Sequence, residues 1–409
     1  MASPPTRTLT PTLGKTPLAV FAYGFRPFFL LAPSYGLIAI LAWIGVYFGI
    51  FVLPLAWPAT LWHAHEMIFG FAMAGMAGFM LTAVPNWTQA APVRDGKLAA
   101  LVLLWAAGRA ALWAADLLPA GLVALLDLAF IPALGLAVAR PLLRQVATSG
   151  PRNLVFLGLL GLLWTGDLLT HLDALERTTG FAWAGLQLGV DVLLLAITLV
   201  GGRIIPTFTA SALRPEGGRS PRSVPLIDRV AMLSMAALLV SDLAFGAGDP
   251  VGGAIALVAA IANGARLILW RPLATLGSPI LWVLHLGYGW LVLGLGLSAV
   301  SGLSRGEIVP PTAALHALTA GAITTMLVAV MSRAALGHTG RALVTPPWGV
   351  AAYLLVTLAA ALRVLAPFAG TWDVRVLAAS GVFWAAAMVS FLLVFVPMLV
   401  SPRADGRAG

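Results

Sequence analysis

Apolar stretches long enough to cross a lipid bilayer recur from one end of this chain to the other. Of its 409 residues, 60% are hydrophobic and 10% are charged. A membrane helix needs about 20 mostly apolar residues, because its backbone polar groups must be satisfied within the helix. We therefore predict an all-α polytopic membrane protein with about twelve transmembrane helices. The predicted spans are 28–50, 59–84, 98–118, 120–139, 153–171, 182–205, 227–246, 251–270, 279–300, 310–332, 348–366 and 374–400.

Basic residues alternate between the two sides of these spans. The formal net charge of +9 would by itself admit a nucleic-acid partner. The arginines and lysines lie instead in the amino-terminal segment and in the loops after even-numbered spans, as Arg7, Lys15, Arg94, Arg140 and Arg203 do. Short loops rich in positive charge are typically cytoplasmic. We predict that both termini are cytoplasmic, that the chain contacts the lipid bilayer and that it binds no nucleic acid.

All loops are short, so we predict a single transmembrane helical domain over residues 1–409. Its longest polar link, from Ser211 to Arg229, divides it into two six-span halves, roughly 1–212 and 223–409. Spans 2 and 6 both end near a proline, Pro85 and Pro206. A pseudo-threefold arrangement with a four-helix period would explain this pattern. Proline simply ending helices would explain it equally well.

The chain contains six histidines and no cysteine. The absence of cysteine excludes disulfides, Cys-ligated iron–sulfur clusters, thiolate copper sites and haem attached through a CxxCH motif. Any metal must be held by His, Met or carboxylate side chains. The predicted topology places four histidines near the outer face, His63, His65, His171 and His316, and two on the cytoplasmic side, His285 and His338.

The stretch from Leu61 to Thr88 opens with His63, His65 and Glu66 and continues as a long apolar run. Successive helical residues turn by about 100°, so His63 and His65 point about 200° apart and cannot ligate one metal from one regular helix. On the His63 face lie Met67, Gly70, Ala74 and Gly78. This small-residue stripe favours close approach, either of another helix or of a flat cofactor.

His63 and His316 lie at similar depth on spans 2 and 10, each followed by small or hydroxylated residues. Histidine is an axial ligand of haem. We therefore predict that His63 and His316 bind a non-covalent haem b between them, with buried polar pairing as the alternative.

His65, Glu66 and His171 remain near the same membrane face. Two imidazoles and a carboxylate suit copper or non-haem iron, and Glu66 could instead relay protons. We predict that these three side chains form a second metal site. His285 and His338 are candidates for a second cofactor site, for partners of haem propionates, or for structural residues at the interface. The other charges within the spans, such as Arg109, Asp127, Asp167 and Asp191, are expected to pair with one another.

Five segments together resemble the NnrS family. They are WHAHEMIFGF, GFMLTAVPNWT, GGRIIPTFT, the span around His285 and MSRAALGHTGR. Members of that family are twelve-span proteins of the bacterial inner membrane that act in the nitric oxide response and are associated with haem and copper. The resemblance covers most of the chain. It implies a role in resistance to, or turnover of, nitric oxide, often beside denitrification.

A weaker similarity links the chain to haem–copper oxidases and nitric oxide reductases. His63, followed by Met67, looks like their second helix, and His316 with Gly321 resembles their tenth. The resemblance implies that both histidines bind a low-spin haem. The position of the high-spin haem histidine is Ala314 here, and spans 6 and 7 carry no histidine. The usual binuclear site therefore cannot be assembled.

These patterns lead to a functional prediction with two alternatives. We expect a haem- and copper-binding inner-membrane protein that removes or reduces nitric oxide at an outer-face metal site formed by His65, Glu66 and His171. If it is an enzyme, it is an oxidoreductase similar to nitric oxide reductases, with an electron donor that the sequence does not identify. The alternatives are a non-catalytic haem or metal sensor or carrier that protects against nitric oxide, and a secondary transporter, which twelve spans with buried charges would also suit.

Overall fold

The computed structural model describes residues 19–214 and 220–407, and within them it is helical with no strand. Arg7 and Lys15, on which part of the topological prediction depends, lie outside the described residues. The long helices are α1 (Phe25–Tyr47), α2 (Ala59–Thr88), α3 (Asp95–Trp113), α4 (Ala120–Leu128 and Phe130–Ser149), α5 (Val155–Ala174), α6 (Phe181–Leu213), α7 (Pro225–Phe245), α8 (Pro250–Leu269), α9 (Pro279–Leu303), α10 (Pro311–His338), α11 (Pro347–Leu365) and α12 (Asp373–Val400). Short 3-10 turns lie at Ala19–Phe21, Ala115–Leu117, Pro151–Asn153, Pro272–Thr275, Ala366–Phe368 and Gly370–Trp372.

The twelve long helices coincide with the twelve predicted spans. Eleven of them, in the part of the chain that the structure describes, are long and apolar enough to cross a membrane. Helix α7 is the exception: it has 21 residues, and its three charged residues, Asp228, Arg229 and Asp242, fall within every 18-residue stretch of it. The prediction of an all-α polytopic membrane protein is therefore confirmed.

Consecutive helices pack side by side, and the last returns to the first. The closest pairs include α5 with α6, α8 with α9, and α11 with α12, while α12 also packs along α1. Short connections make such antiparallel neighbours the expected arrangement. The result is one packed bundle whose first and last helices are in contact.

Helices α2, α6 and α10, spaced four apart in the chain, form the interior of this bundle. The buried share of their apolar segments is 83%, 67% and 67%, against 39–61% for the other candidate spans. Met76 of α2, Ala196 of α6 and Met326 of α10 line one apolar cavity of about 70 Å³ between them. This arrangement agrees with the four-helix period suggested by the sequence.

Two of the interior helices change their winding at a similar point. Helix α2 becomes a π-helix over Glu66–Ala72, immediately after His65, and α10 does so over Ala317–Ile323, immediately after His316. A π-helical turn holds more residues than an α-turn, so it changes which residues share a face. The small-residue stripe predicted below His63 is therefore not continuous. Gly70 packs against the ring of Tyr35 and Gly78 against that of Phe29, so helix α1, rather than a cofactor, occupies this surface.

Candidate metal centre

Four buried side chains from three helices converge near one end of the bundle: His65 of α2, Asp127 of α4, and Asp167 and His171 of α5. We call them the quartet. One ligand atom from each lies within 4.8 Å of the other three, and each residue is at most 2% exposed. His65 is placed by the α-to-π junction of α2, and Asp127 lies two residues before the interruption of α4 at Ala129. Asp167 and His171 are four residues apart on α5 and therefore share one face.

The Nε2 atoms of both quartet histidines face the two aspartates. His65 Nε2 lies 2.8 Å from Asp167 Oδ1 and 3.3 Å from Asp127 Oδ2. His171 Nε2 lies 2.9 Å from Asp127 Oδ2 and 3.8 Å from Asp167 Oδ1. Each nitrogen thus contacts both carboxylates, so all four donor atoms surround one small volume.

Glu66 lies on the opposite side of the His65 ring. Its Oε1 atom is 3.4 Å from His65 Nδ1 and accepts a hydrogen bond from Arg109 at 2.9 Å. Arg109 also donates to Asp127, which ties this carboxylate to the quartet. Tyr35 donates its hydroxyl proton to Glu66 Oε2 and in turn accepts a hydrogen bond of 2.9 Å from Trp113 Nε1.

Aromatic rings cover both sides of the quartet. Trp57, in the segment before α2, packs edge-on against His65 and His171 with centroid distances of 5.0 and 5.2 Å. Phe69, one turn further along α2, lies 4.9 Å from the His65 ring. These rings keep the polar groups away from bulk water, which strengthens every electrostatic interaction among them.

The donor set and its charge fit a divalent cation. Two imidazoles and two carboxylates are ligands that iron, manganese and zinc accept, whereas Cu(I) prefers thiolates and thioethers. Glu66, Asp127 and Asp167 carry three negative charges when ionised, and Arg109 contacts the first two of them. With neutral histidines, the group therefore has a net charge of −2. Buried charge of that size requires compensation.

The structure brings the predicted residues His65 and His171 together, with ring centroids 5.8 Å apart. The sequence indicated Asp127 and Asp167 only as members of charge pairs. In the structure their carboxylates face the Nε2 atoms of the two histidines, where Glu66 was expected as a direct ligand. A signal for Asp167 was present: an aspartate and a histidine four residues apart within an apolar span lie on one helix face. Asp127 has no such neighbour in the sequence, and only the packing of α4 against α5 identifies it.

His63 points away from the quartet, as the helix geometry predicted. Its ring stacks on Trp43 with a centroid distance of 4.6 Å, and its buried Nδ1 atom has no hydrogen-bond partner in the part of the chain that the structure describes. His316 and Arg363 are near enough to act electrostatically on His63. His316 Nδ1 donates to the Thr312 carbonyl at 2.7 Å, which leaves its Nε2 atom to face other groups.

The two remaining histidines lie toward the opposite end of the bundle. His285 is buried, with Nε2 3.0 Å from the Thr209 hydroxyl and no partner for Nδ1. His338 packs against the rings of Tyr23 and Phe25 and lines a cavity of about 370 Å³ together with Arg333. Neither this cavity nor the central one is lined by His63 or His316.

A comparison with known protein families agrees with the fold and with these motifs. The model of the family described as NnrS protein matches residues 19–403, nearly the whole chain. No individual curated protein matched the chain. A match of this extent shows that the chain belongs to the NnrS family.

Proposed function

We propose that the quartet binds one divalent metal ion, preferably non-haem iron, and that the protein uses it to bind and remove nitric oxide. Membership of the family supports a membrane protein of the nitric oxide response. The observation that carries the proposal is that four donor atoms lie within 4.8 Å of one another, in a buried group where one arginine, Arg109, faces the carboxyl groups of Glu66 and Asp127 and none faces Asp167. A divalent ion would balance the excess of carboxyl groups.

The metal would supply an open position for nitric oxide and, when reduced, an electron for its conversion. The surrounding residues have roles of their own. His65 can donate its Nδ1 proton to Glu66. This hydrogen bond fixes the tautomer of His65 and presents its Nε2 atom to the ion. Arg109 fixes both Glu66 and Asp127. Trp57 and Phe69 exclude water from the rings.

Glu66 is also the candidate proton donor. Nitric oxide reduction consumes protons, and a carboxyl group beside the metal is well placed to supply them. Its Oε2 atom already accepts a hydrogen bond from the Tyr35 hydroxyl, so a proton held there can be replaced through Tyr35. The activity would then be an oxidoreductase activity of the nitric oxide reductase type. We place the protein in the bacterial inner membrane with both termini cytoplasmic and the quartet toward the outer face. A reporter fused after Gly409 should then score as cytoplasmic and one near Trp57 as external.

Metal content measured on purified protein tests the centre. We expect about one divalent ion per chain in the wild type and its loss in Asp167→Asn and in His171→Ala. His285→Ala, which removes a buried histidine outside the quartet, is the matched control and should keep the ion. An EPR spectrum after addition of nitric oxide should show a nitrosyl adduct in the wild type and in the control. Equal metal content in all four proteins would rule out the quartet as the binding site.

A second cofactor, haem b, is proposed for His63 and His316. The buried Nδ1 of His63 and the Nε2 of His316, whose Nδ1 donates to Thr312, are suitable axial donors, and Arg363 nearby would pair with a propionate. His63→Ala and His316→Ala should each lose a low-spin haem spectrum while keeping the quartet metal. His338→Ala serves as the control and should keep the spectrum, since His338 belongs to the other end of the bundle. A full spectrum in both variants would reassign the haem ligands.

The second candidate function is a non-catalytic sensor or carrier of metal. The complete burial of the quartet under Trp57 favours it, because closed four-ligand sites are typical of structural metals. An electrode trace of nitric oxide consumption by reduced protein separates the two functions. Consumption that is lost in Glu66→Gln, His65→Ala and His171→Ala indicates an enzyme. An intact nitrosyl signal without consumption indicates a sensor or carrier.

A further inference from the structure

Two carboxyl groups outside the quartet meet between α6 and α7. Asp191 of α6 is 4% exposed, and Asp242 lies half-buried in the last turn of α7. The side chain of Gln187, one turn before Asp191, joins them. Its Nε2 atom donates to Asp191 Oδ1 at 2.9 Å and to Asp242 Oδ2 at 3.3 Å. We call Asp191 and Asp242 the carboxyl pair.

No cation in the described residues forms an ion pair with the carboxyl pair. The other acid of α7 provides the contrast, because Asp228 Oδ1 contacts Arg266 at 2.8 Å. The neighbouring charge that acts on Asp191 is that of Asp242. The start of α8 adds a third acid, Asp249, whose carboxylate accepts from Val251 N. The carboxyl-terminal end of α7 and the amino-terminal end of α8 meet here, so their helix dipoles largely cancel.

Two buried polar atoms beside the pair have no hydrogen-bond partner among the described residues. They are Asp191 Oδ2 and the hydroxyl of Ser241, whose residue is 4% exposed. Ser241 Oγ and Asp242 Oδ1 face the same point: they lie 3.4 and 3.1 Å from the position that a Cβ on Gly252 would take. Buried polar atoms are almost always hydrogen-bonded. An ionised Asp191 Oδ2 atom can only accept a hydrogen bond, and the described residues offer it no donor.

We propose that Asp191 and Asp242 bind a single proton between them and form a proton-binding site of this protein. Two carboxylates without a cation cannot both remain ionised in a low-dielectric environment, so one proton is retained by the pair. A proton on Asp191 Oδ2 would remove the charge of this buried atom, which no donor among the described residues compensates. The half-exposed Asp242 connects the site to the membrane face at which α6 begins and α7 ends. The site is separate from the quartet and does not depend on a metal.

Labelling with dicyclohexylcarbodiimide tests the proposal on the full-length protein in detergent. This apolar reagent adds to protonated carboxyl groups in membrane proteins, and mass spectrometry locates the product. At neutral pH we expect an adduct on Asp191 or Asp242. Asp228, on the same helix but paired with Arg266, is the internal control and should remain unmodified. A carboxyl pair labelled no more than Asp228 would overturn the proposal.

Two variants then separate a shared proton from simple burial. In Asp191→Asn and in Asp242→Asn the remaining carboxyl group has lost its like-charged neighbour. Its labelling should therefore shift to lower pH, by about one unit or more if the groups are coupled. An unchanged pH profile in both variants would show independent titration and overturn the sharing. Protection of the wild type by sodium ions at constant ionic strength would overturn it in favour of a metal-cation site. If a variant fails to fold, the labelling of the carboxyl pair relative to Asp228 in the wild type still tests whether the pair retains a proton.

Discussion

Helices α2 and α10 are built alike but surround their histidines with different chemistry. Each passes from an α-helix to a seven-residue π-helix directly after a histidine, His65 in α2 and His316 in α10. The fifth residue of each π-helical segment is a glycine against an aromatic ring, Gly70 against Tyr35 and Gly321 against Trp290. The backbone arrangement is therefore the same at both positions.

The residues that surround these two segments differ in charge. Glu66 begins the π-helix of α2, and three other helices contribute Arg109, Asp127 and Asp167 to the same group. Ala317 begins the π-helix of α10, which contains no charged residue, and His316 bonds to the Thr312 carbonyl of its own helix. The comparison shows that a π-turn after a histidine positions an imidazole, whereas the charged centre depends on what adjacent helices supply.

Removal of the arginine near each histidine should give the largest difference between the two regions. Arg109→Met leaves Glu66 and Asp127 buried without their cation, which should lower the free energy of unfolding by about 3–5 kcal/mol. Arg363→Met, near His316, separates no ion pair among the described residues and should cost less than about 1 kcal/mol. Thermal unfolding in detergent measures both values. Equal losses would mean that Arg109 is not the counter-charge of the quartet.

Substitution of the two equivalent glycines should give the next largest effect. A Cβ on Gly70 would lie 2.6 Å from a ring atom of Tyr35, and one on Gly321 2.7 Å from the ring of Trp290. Overpacking of this kind costs about 1–3 kcal/mol, so both alanine variants should be destabilised. Gly70→Ala should also weaken metal binding, because it displaces Tyr35 from Glu66. Gly321→Ala should leave metal affinity unchanged, and a parallel loss of affinity in both variants would contradict the assignment.

The class of fold follows from the sequence because hydropathy and charge alternation depend on residue types alone. Histidine depth followed for the same reason and placed His65 and His171, which the structure brings together, at the same face. Depth also grouped His63 with them, and only the helical turn between His63 and His65 separates it. The π-helices did not follow, because an extra residue in a turn leaves no mark in the apolar pattern. The partners of the quartet histidines were missed for a related reason: Asp127 contacts them through the packing of α4, which spacing along the chain does not encode.

Glu66→Gln should weaken metal binding while leaving the quartet in place. The amide keeps the size of the side chain, but it carries no charge to hold the proton of His65 Nδ1. Loss of such an outer carboxylate typically lowers metal affinity by about 10–100-fold. Competition with a chromophoric chelator measures the affinity. The matched change in α10, Ala317→Gln, should leave it unchanged, and an unaltered affinity in Glu66→Gln would remove Glu66 from its proposed role.

The smallest effect concerns one tryptophan on the helix next to each π-helix, Trp113 on α3 and Trp290 on α9. Trp113 Nε1 donates to the Tyr35 hydroxyl at 2.9 Å, whereas Trp290 Nε1 is buried and has no partner within residues 19–214 and 220–407. Trp113→Phe removes a hydrogen bond worth about 0.5–1.5 kcal/mol and frees Tyr35 to turn away from Glu66. Metal affinity should then fall by a few-fold, in the direction of Glu66→Gln but less far. Trp290→Phe removes an indole of the same size without a hydrogen bond and should leave the affinity of the quartet unchanged. If the two variants bind metal equally well, the chain from Trp113 through Tyr35 to Glu66 has no influence on the centre, and the distinction between α2 and α10 reduces to the four ligands themselves.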